Sequence, residues 1–310
     1  MEEKIEIMNL LQSKQVLEHE LQSLAYGSVE IRENESNKYI YVHYREDGVT
    51  LTKYVGEYSD ELYNLVLNNS SKAKQLKKQI REITKKLKQL NYTEEELSEK
   101  VEQNIDFAKR HLVDTIYKQA ILEGVATTFA DTESIIEGGK VNNMTSEDIL
   151  KIVNLKHAWE FILNKNVILS DTNFALLCEI NKMVEEGFYY TAGKVRNTPV
   201  TIGGTTWKPD LPIESVIKEE LEEIFSKELD DIDRAIELLL YTMKKQVFID
   251  GNKRTAVIYS NHYLISKGKG IIAIPAELTE EFKDLLIPYY EGKDENKIRE
   301  FIKEKCYIGI

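Results

Sequence analysis

The spacing of hydrophobic and polar residues predicts a mixed segment of helices and strands at the start of the chain. Apolar residues between positions 3 and 25 recur on one face of a helix. Alternating positions then predict three short strands, at 29–32, 39–44 and 51–55. From Ala73 to Leu90 the apolar residues are three and four apart, the heptad spacing of a helix that packs on a partner helix. We therefore expect an appendage over residues 1–92, made of a helix, a three-strand meander and a long coiled-coil-like helix.

Helical spacing dominates the rest of the chain. Thr93 followed by Glu96 forms a capping box, which predicts a connecting helix over 93–112. Further helices are predicted at 114–130, 145–164, 170–186, 214–226, 230–245, 253–267 and 279–291. Only Val200–Gly203 has the pattern of an extended segment. The predicted fold class is mainly α, with an all-helical domain over 113–310 after the appendage and the connecting helix.

Composition narrows the possible classes of protein. The 310 residues are 42% hydrophobic and 30% charged, enough to bury a core, which excludes bulk disorder. A net charge of −12 argues against a protein that coats nucleic acid. Two cysteines exclude a disulfide scaffold and a four-cysteine zinc site. No apolar run reaches the ~18 residues of a membrane span, and the start of the chain lacks a signal-peptide pattern. We expect no membrane partner and a cytoplasmic location.

The long helix of the appendage carries an unusual concentration of positive charge. Residues Lys72–Lys88 hold eight lysine and arginine side chains against one acid, Glu82. The run is suited either to the phosphates of nucleic acid or to pairing with the acidic first helix. The second interpretation is favoured because heptad order needs a partner helix. The appendage is suited to holding a protein partner or a second copy of the chain, and nucleic acid is not the expected partner.

The segment Gln246–Arg254 has the features of a phosphate-binding turn between two helices. Gly251 allows the positive φ of a tight turn, and the backbone N–H groups of the following helix would face an anion. Lys253 and Arg254 add cationic donors. Asp250 offers an oxygen ligand for a Mg²⁺ ion that is shared with phosphates. An ordinary surface turn remains the alternative for an Asp-Gly-Asn sequence.

This segment resembles the signature of Fic-domain proteins, His-x-Phe-x-(Asp/Glu)-Gly-Asn-(Gly/Lys)-Arg, at every fixed position except the first, which is Gln246. Upstream, Gly193–Asn197 and Val200–Thr205, with Trp207 and Pro209, are similar to the family's arginine-led β-hairpin flap. Downstream, Asn261, Leu264 and Gly268 are similar to the continuation of its motif helix. The resemblance covers about residues 114–290. It implies a compact all-α fold with a small hairpin beside the motif loop.

The resemblance also implies an activity, because most Fic proteins move AMP from ATP to a Ser, Thr or Tyr hydroxyl of a target protein. A few relatives transfer other phosphate-containing groups. In this chain the resemblance assigns Mg²⁺ to Asp250 and the outer phosphates to Arg254. The remaining phosphate contacts would come from Gly251, Asn252 and Lys253. The target segment would dock by strand addition on the flap residues Val200, Thr201, Ile202 and Gly203.

Gln246 departs from the family at the residue that acts as general base. An amide cannot accept the proton of the attacking hydroxyl, and loss of a general base typically costs ~10²–10⁴-fold in rate. None of the histidines at 19, 43, 111, 157 and 262 is an evident substitute. Three hypotheses stay open. The first is a transferase, either with an altered catalytic base or for another phosphate-containing group. The second is a nucleotide-binding regulator that acts through residues 1–92, and the third is a structural or DNA-associated regulator that acts through the helix at Lys72–Lys88.

A second departure concerns autoinhibition. Residues 132–138 resemble the family's inhibitory helix, with Glu137 at the position of its glutamate. The arginine that this glutamate would pair with is Val257 here. Active autoinhibition by Glu137 is therefore not expected.

Overall fold

The first unit of the fold, Met1–Glu94, contains two long helices and, between them in sequence, a three-stranded antiparallel sheet. Its elements are α1 (Glu2–Ser23), β1 (Ser28–Asn34), β2 (Asn37–Glu46), β3 (Val49–Glu57) and α2 (Asp60–Gln89). The strands lie in the order β1-β2-β3. The structure is a computed structural model, and it describes residues 2–34, 37–46, 49–90, 92, 97–142 and 144–310.

The core of the first unit forms where one face of the sheet meets α2. Ile40 and Val42 of β2 are fully buried together with Val66 of α2. Tyr41, between them in sequence, lies on the opposite face, as the two-residue period of a strand requires. Beyond the sheet, α2 packs against α1. The hydroxyl of Ser59 accepts a hydrogen bond from the N–H of Leu62 and caps the start of α2.

The second unit, Glu95–Ile310, is almost entirely helical. Its helices are α3 (Glu99–Arg110), α4 (Leu112–Leu122), α5 (Phe129–Ile136), α6 (Ser146–Ile162), α7 (Lys165–Ile168), α8 (Phe174–Val184), α9 (Glu214–Ser226), α10 (Asp231–Lys245), α11 (Asn252–Ser266), α12 (Thr279–Tyr290) and α13 (Asn296–Phe301). The two-residue strands β4 (Ile271–Ile272) and β5 (Tyr307–Ile308) pair antiparallel. The predicted mainly α class is confirmed. Within the described residues, no helix has both the length and the apolar character needed to cross a membrane.

Helix α11 lies at the centre of the second unit. It packs against α10, α8, α6, α3 and α7. All its residues from Arg254 to Ile265 are buried, which is the pattern of a helix enclosed by a core rather than lying on a surface. Buried Asn261 anchors its far end, because its amide donates to the carbonyl of Ile272 and accepts from the N–H of the same residue. The core therefore fixes the position of the loop that precedes α11.

Several details differ from the sequence predictions, among them the unpredicted β4, β5 and α13. The helix predicted at 114–130 is interrupted, because Gly124 adopts a φ of 78° after α4 and Thr128 caps α5. The connecting helix begins after the cap residue Ser98, and the predicted capping box at 93–96 lies outside the described residues. The flap residues Val200–Gly203 form no strand, so the prediction of a β-hairpin at this segment is wrong. Pro199 lacks a backbone donor, and a turn at Gly203–Gly204 follows at once.

Both cysteines are free, Cys306 is buried and Cys178 is partly buried. Burial raises the pKa of Cys178 to about 12 and that of Cys306 to about 12. A thiol must ionise to act as a nucleophile or to bind a metal. Neither thiol is therefore suited to these roles, and Cys306 serves as a small apolar group of the core.

Candidate functional site

The loop between α10 and α11 has two residues with left-handed backbone. Gln246 ends α10 with a φ of 48°, and it is the one residue other than glycine with a positive φ in the described part of the chain. Gly251 precedes α11 with a φ of 72°. The side chain of Asn252 spans the loop, since it accepts from the N–H of Phe248 at 3.0 Å and donates to the carbonyl of Phe248 at 2.8 Å. Phe248 is buried and anchors the loop in the core.

The side chain of Gln246 is part of this internal bracing. Its amide Nε2 donates to the carbonyl of Met243 at 2.7 Å. Its Oε1 accepts from Nδ2 of Asn252 at 3.2 Å. Both ends of the amide are therefore engaged by the loop and by the end of α10.

Asn181 of α8 fixes the loop from the other side. Its Nδ2 donates to the carbonyl of Asp250 at 3.0 Å and to the hydroxyl of Thr255 at 3.1 Å. Its Oδ1 accepts from the N–H of Gly193 at 2.9 Å. One buried amide thus joins the loop, the start of α11 and the segment that leads into the flap.

Arg196 also joins the flap segment to the loop, through more hydrogen bonds than Asn181 makes. The side chain is 5% exposed. Nε donates to the carbonyl of Gln246 at 2.6 Å, Nη1 to that of Thr198 at 2.9 Å and Nη2 to that of Asp210 at 2.7 Å. Its backbone N–H donates to the carbonyl of Val247 at 3.0 Å. Arg196 therefore holds both ends of the segment 198–210 against the loop.

Arg196→Lys is expected to lower the free energy of unfolding by about 2 kcal/mol, because one ammonium group cannot donate to three separated carbonyls in these partly buried contacts. Urea denaturation of the full chain measures the change. The control is Lys194→Ala, since Lys194 is exposed in the same segment. A loss no greater than that of the control would contradict the role assigned to Arg196.

Carboxylates surround Arg254, the last residue of the motif. Its guanidinium is 3% exposed, and Nη2 lies 2.7 Å from Oε1 of Glu185. Nε lies 3.4 Å from Glu123, and Nη2 lies 3.8 Å from Asp250. Lys253 reaches Glu123 at 3.4 Å. The two motif cations are thus neutralised within the protein.

Glu185 lies against the part of the loop where an anion would bind. A Cβ atom on Gly251 would lie 2.3 Å from Oε1 of Glu185, so glycine is required for this contact as well as for the turn. Burial raises the pKa of Glu185 to about 7, because it opposes ionisation more than the neighbouring Arg254 favours it. A nearly inaccessible carboxyl therefore titrates near neutral pH inside the candidate site.

Two donors of Arg254 make no hydrogen bond within the described part of the chain. Nε and Nη1 of Arg254 are buried without a hydrogen-bond partner among the described residues. No described side chain caps the N-terminus of α11. A buried guanidinium with unpaired donors and an uncapped helix start fit phosphate oxygens.

Asp250 lies at the exposed edge of the site. Its side chain is 52% exposed, and Oδ1 accepts from the N–H of Gly251 at 2.6 Å. No group of three or more Asp, Glu, His or Cys residues suited to a metal occurs in the described part of the chain. A cation at Asp250 would therefore need further oxygens from phosphates and water.

The other residues singled out in the sequence lie apart from this cluster. Glu137 is exposed at the C-cap of α5, and the carboxylates that face Arg254 are Glu123 and Glu185 instead. Val257, at the position of the expected second arginine, is buried in α11. The flap residues Thr201 and Gly203 are exposed, and Val200 and Ile202 are half-buried.

His262 is a structural residue of the core. It is fully buried, with Nε2 2.9 Å from the carbonyl of Val167 and Nδ1 2.8 Å from the hydroxyl of Thr172. Since a carbonyl can only accept, Nε2 carries the proton and Nδ1 accepts from Thr172. Burial lowers the pKa of His262 to about 4. This histidine does not replace the missing general base.

The lowered pKa of His262 predicts a loss of stability in mild acid. The unfolded chain takes up a proton near the ordinary pKa of 6.5, whereas the folded chain does so only near 4. The free energy of unfolding should therefore fall by about 3 kcal/mol as the pH drops from 6.5 to 4. Urea denaturation of the wild type and of His262→Asn across this range isolates the contribution. NMR signals of the His262 ring that titrate near pH 6.5 in the folded protein would contradict the lowered pKa.

Four residues that shape the site were not predicted from the sequence: Glu123, Asn181, Glu185 and Arg196. Of these, Arg196 lies within the segment that resembles the flap. Glu185 is 1% exposed, while the adjacent Glu186 is exposed. No local sequence signal separates these two glutamates. The Gly193–Asn197 segment was the signal that could have drawn attention to a buried arginine.

The fold and the loop together define a class: a helical domain with a phosphate-type loop at the start of its central helix. Residues 171–264 match the model of the Fic/DOC family, so the chain contains a Fic/DOC family domain. The matched range includes α8, the flap segment and the whole loop. A search of curated proteins finds no match to the sequence.

Solved structures of Fic proteins are similar in fold. The first is Fic-1 (amino acids 134–508) from C. elegans, with 17% identity, coverage of 79% of this chain and 77% of that chain, and a TM-score of 0.53. A Fic domain containing signaling protein from Bacteroides thetaiotaomicron has 18% identity, coverage of 67% and 86%, and a TM-score of 0.52. A Fic family protein from Desulfovibrio desulfuricans has 13% identity, coverage of 67% and 72%, and a TM-score of 0.52. At these identities the likeness concerns the fold.

Proposed function

We propose that the second unit is a Fic-type transferase domain that binds ATP with Mg²⁺ and transfers AMP to a Ser, Thr or Tyr hydroxyl only slowly. The observation that carries the proposal is the buried guanidinium of Arg254, whose Nε and Nη1 lack hydrogen-bond partners in the described structure. The uncapped start of α11 and the Fic/DOC match over 171–264 support it.

The residues of the loop divide the binding roles. The backbone N–H groups of Asn252 and Lys253 open α11 and would face phosphate oxygens. Arg254 would hold the outer phosphates. Asp250, exposed at the edge, would hold Mg²⁺, which when bound offsets the phosphate charge. For Arg254 to bind phosphate, the carboxylates of Glu185 and Glu123 must yield part of their contacts.

The slow transfer follows from the position of Gln246. In AMP transfer, a bond forms between the target oxygen and the α-phosphorus, the bond from that phosphorus to the bridging oxygen breaks, and pyrophosphate leaves. The proton of the target hydroxyl must pass to a base. The amide of Gln246 cannot accept it, and both of its ends are engaged by Met243 and Asn252. The proton would pass to water, without general-base assistance.

The target protein would dock beside the loop on Val200–Gly203. No strand pairs with this segment within the described part of the chain, so its backbone is open to an extended peptide. Arg196 would hold this docking segment in register with the loop. A protein partner or a second copy of the chain on residues 1–92 stays a prediction.

A second candidate function is a nucleotide-binding regulator without transferase activity. The observation that favours it is again the bracing of Gln246, whose side chain supports the loop rather than pointing at a reacting group. Both candidates require the same nucleotide site. They differ in whether AMP reaches a protein hydroxyl.

Calorimetric titration of the full chain with ATP and Mg²⁺ tests the shared site. We expect saturable binding that Arg254→Ala weakens at least ten-fold, since a hydrogen-bonded charge contributes about 1.5–3 kcal/mol. Arg110→Ala, which removes an exposed arginine of α3, is the matched control and should bind as the wild type does. Absence of binding, or equal losses in the two variants, would reject the proposal.

A further inference from the structure

One face of α2 carries a continuous row of positive charge. This basic face consists of Lys74, Lys78, Arg81, Lys85 and Lys88, all exposed. The residues are four and three apart in alternation, so they lie in line along the helix. At a rise of 1.5 Å per residue, the row is about 21 Å long, with a cation about every 5 Å.

The basic face points away from α1. Helix α2 buries Ala73, Leu76 and Leu87, and at 100° per residue the centre of the basic face lies about 130° around the helix from the centre of these residues. Lys72, on the flank of α2, pairs with Glu20 of α1 at 2.5 Å. Pairing with the acidic first helix, the interpretation favoured from the sequence, thus accounts for Lys72 but not for the row.

Partners for the row within α2 are few. Lys78 lies 4.0 Å from Glu82, and both side chains are largely exposed. Within the described chain, no ion pair involves Lys74, Arg81, Lys85 or Lys88. The whole of Lys72–Leu90 is described, so the face carries its charge nearly uncompensated.

The chemistry of the face distinguishes between possible occupants. Between Lys72 and Leu90 its exposed side chains are polar, and the exposed Leu65 and Leu67 precede it. Exposed ion pairs with another protein contribute only about 0–1 kcal/mol each, so a protein partner would need apolar surface that this face lacks. A nucleic-acid duplex differs, because each neutralised phosphate releases a condensed counterion.

We propose that the basic face of α2 binds the phosphate backbone of duplex DNA without sequence selection. A duplex carries one phosphate per about 1.7 Å of axis, so 21 Å of duplex presents about 12 phosphates to five cations. The helix backbone sets the spacing of these five side chains before binding. This second function is separate from the nucleotide site of the second unit.

Fluorescence anisotropy of a labelled 20-base-pair duplex, with the full chain in 50 to 200 mM NaCl, tests the proposal. With five phosphate contacts, a plot of the logarithm of the association constant against the logarithm of the salt concentration should have a slope of about −4.5. The affinity should therefore fall about 500-fold across this range. A variant with glutamine at all five positions of the basic face should bind at least ten-fold more weakly at 50 mM NaCl, with a slope near zero. Circular dichroism checks that the variant folds.

The matched control removes the same charge from exposed positions of the second unit, with glutamine replacing Lys109, Arg110, Lys208, Lys293 and Lys297. It should bind the duplex as the wild type does. No binding by the wild type at 50 mM NaCl, or equal losses in both variants, would overturn the proposal. Poly-glutamate that binds as tightly and with the same salt slope would point to an acidic protein instead, and would overturn it as well.

Discussion

Replacing Gln246 with histidine is expected to raise the rate of AMP transfer by about 10²-fold or more, because an imidazole can accept the proton that the amide cannot. The backbone permits the change, since histidine is among the residues that adopt left-handed conformations more readily than most. The variant loses the bridge from Gln246 to Met243 and Asn252, but Asn252 keeps both of its bonds to Phe248. The loop should therefore keep its shape.

Transfer of label from ATP carrying a labelled α-phosphate to protein, in the full chain and in added cell lysate, measures the rate. The increase should fall mainly on kcat and should fade as the pH drops below about 6.5, where an imidazole becomes protonated. Gln246→Asn is the control, because it keeps an amide in a backbone conformation that asparagine tolerates. If the histidine variant is no faster than the asparagine variant, the missing base is not what limits transfer.

Glu185→Gln is expected to bind ATP with Mg²⁺ at least ten-fold more tightly than the wild type at pH 8. The carboxylate of Glu185 lies 2.7 Å from Arg254 and against Gly251, so in its ionised form it competes with a phosphate for the same donors. A neutral amide removes the competing charge. Calorimetric titration measures the affinity, and Glu137→Gln is the matched control, since Glu137 is exposed at the end of α5 and should leave affinity unchanged.

The same substitution should remove a pH dependence. With its pKa raised to about 7, Glu185 gains its proton as the pH falls from 8 to 6, so the ATP affinity of the wild type should rise toward that of the variant. The sign for stability follows from the ordinary pKa of 4.5 in the unfolded chain. The contribution of Glu185 is fully present below pH 4.5 and is lost, by about 3 kcal/mol, as the pH rises through 7. Equal affinities and parallel pH profiles of the two proteins would contradict both expectations.

The sequence predicted the scaffold of the site well, because helical spacing is a local property. The helices around the loop end within one residue of their predicted bounds: α10 at Asp231–Lys245 against 230–245, and α11 at Asn252–Ser266 against 253–267. The turn at Gly251 followed from the same local chemistry. These features depend on residues a few positions apart, which is the range over which periodicity and turn residues act.

The carboxylates that contact Arg254 could not be predicted from the sequence, because they come from residues far apart in the chain. Glu185 and Arg254 meet only after α8 packs against α11. Local patterns show an acidic pair at the end of a helix, and only packing decides that Glu185 is buried while Glu186 is exposed. The prediction of a strand in the flap was wrong for another reason. Val200–Gly203 has the composition of a strand, but no neighbouring segment pairs with it in the described structure.

Because α11 is enclosed by the core, the loop should unfold only when the whole second unit unfolds. A helix at the centre of a core opens last, since its amides are released to solvent only when the surrounding helices separate. The loop is bonded to this helix through Asn252 and Asn181. Partial unfolding at the edges of the second unit would therefore leave the phosphate-type loop assembled, and the site would disappear only in the global transition.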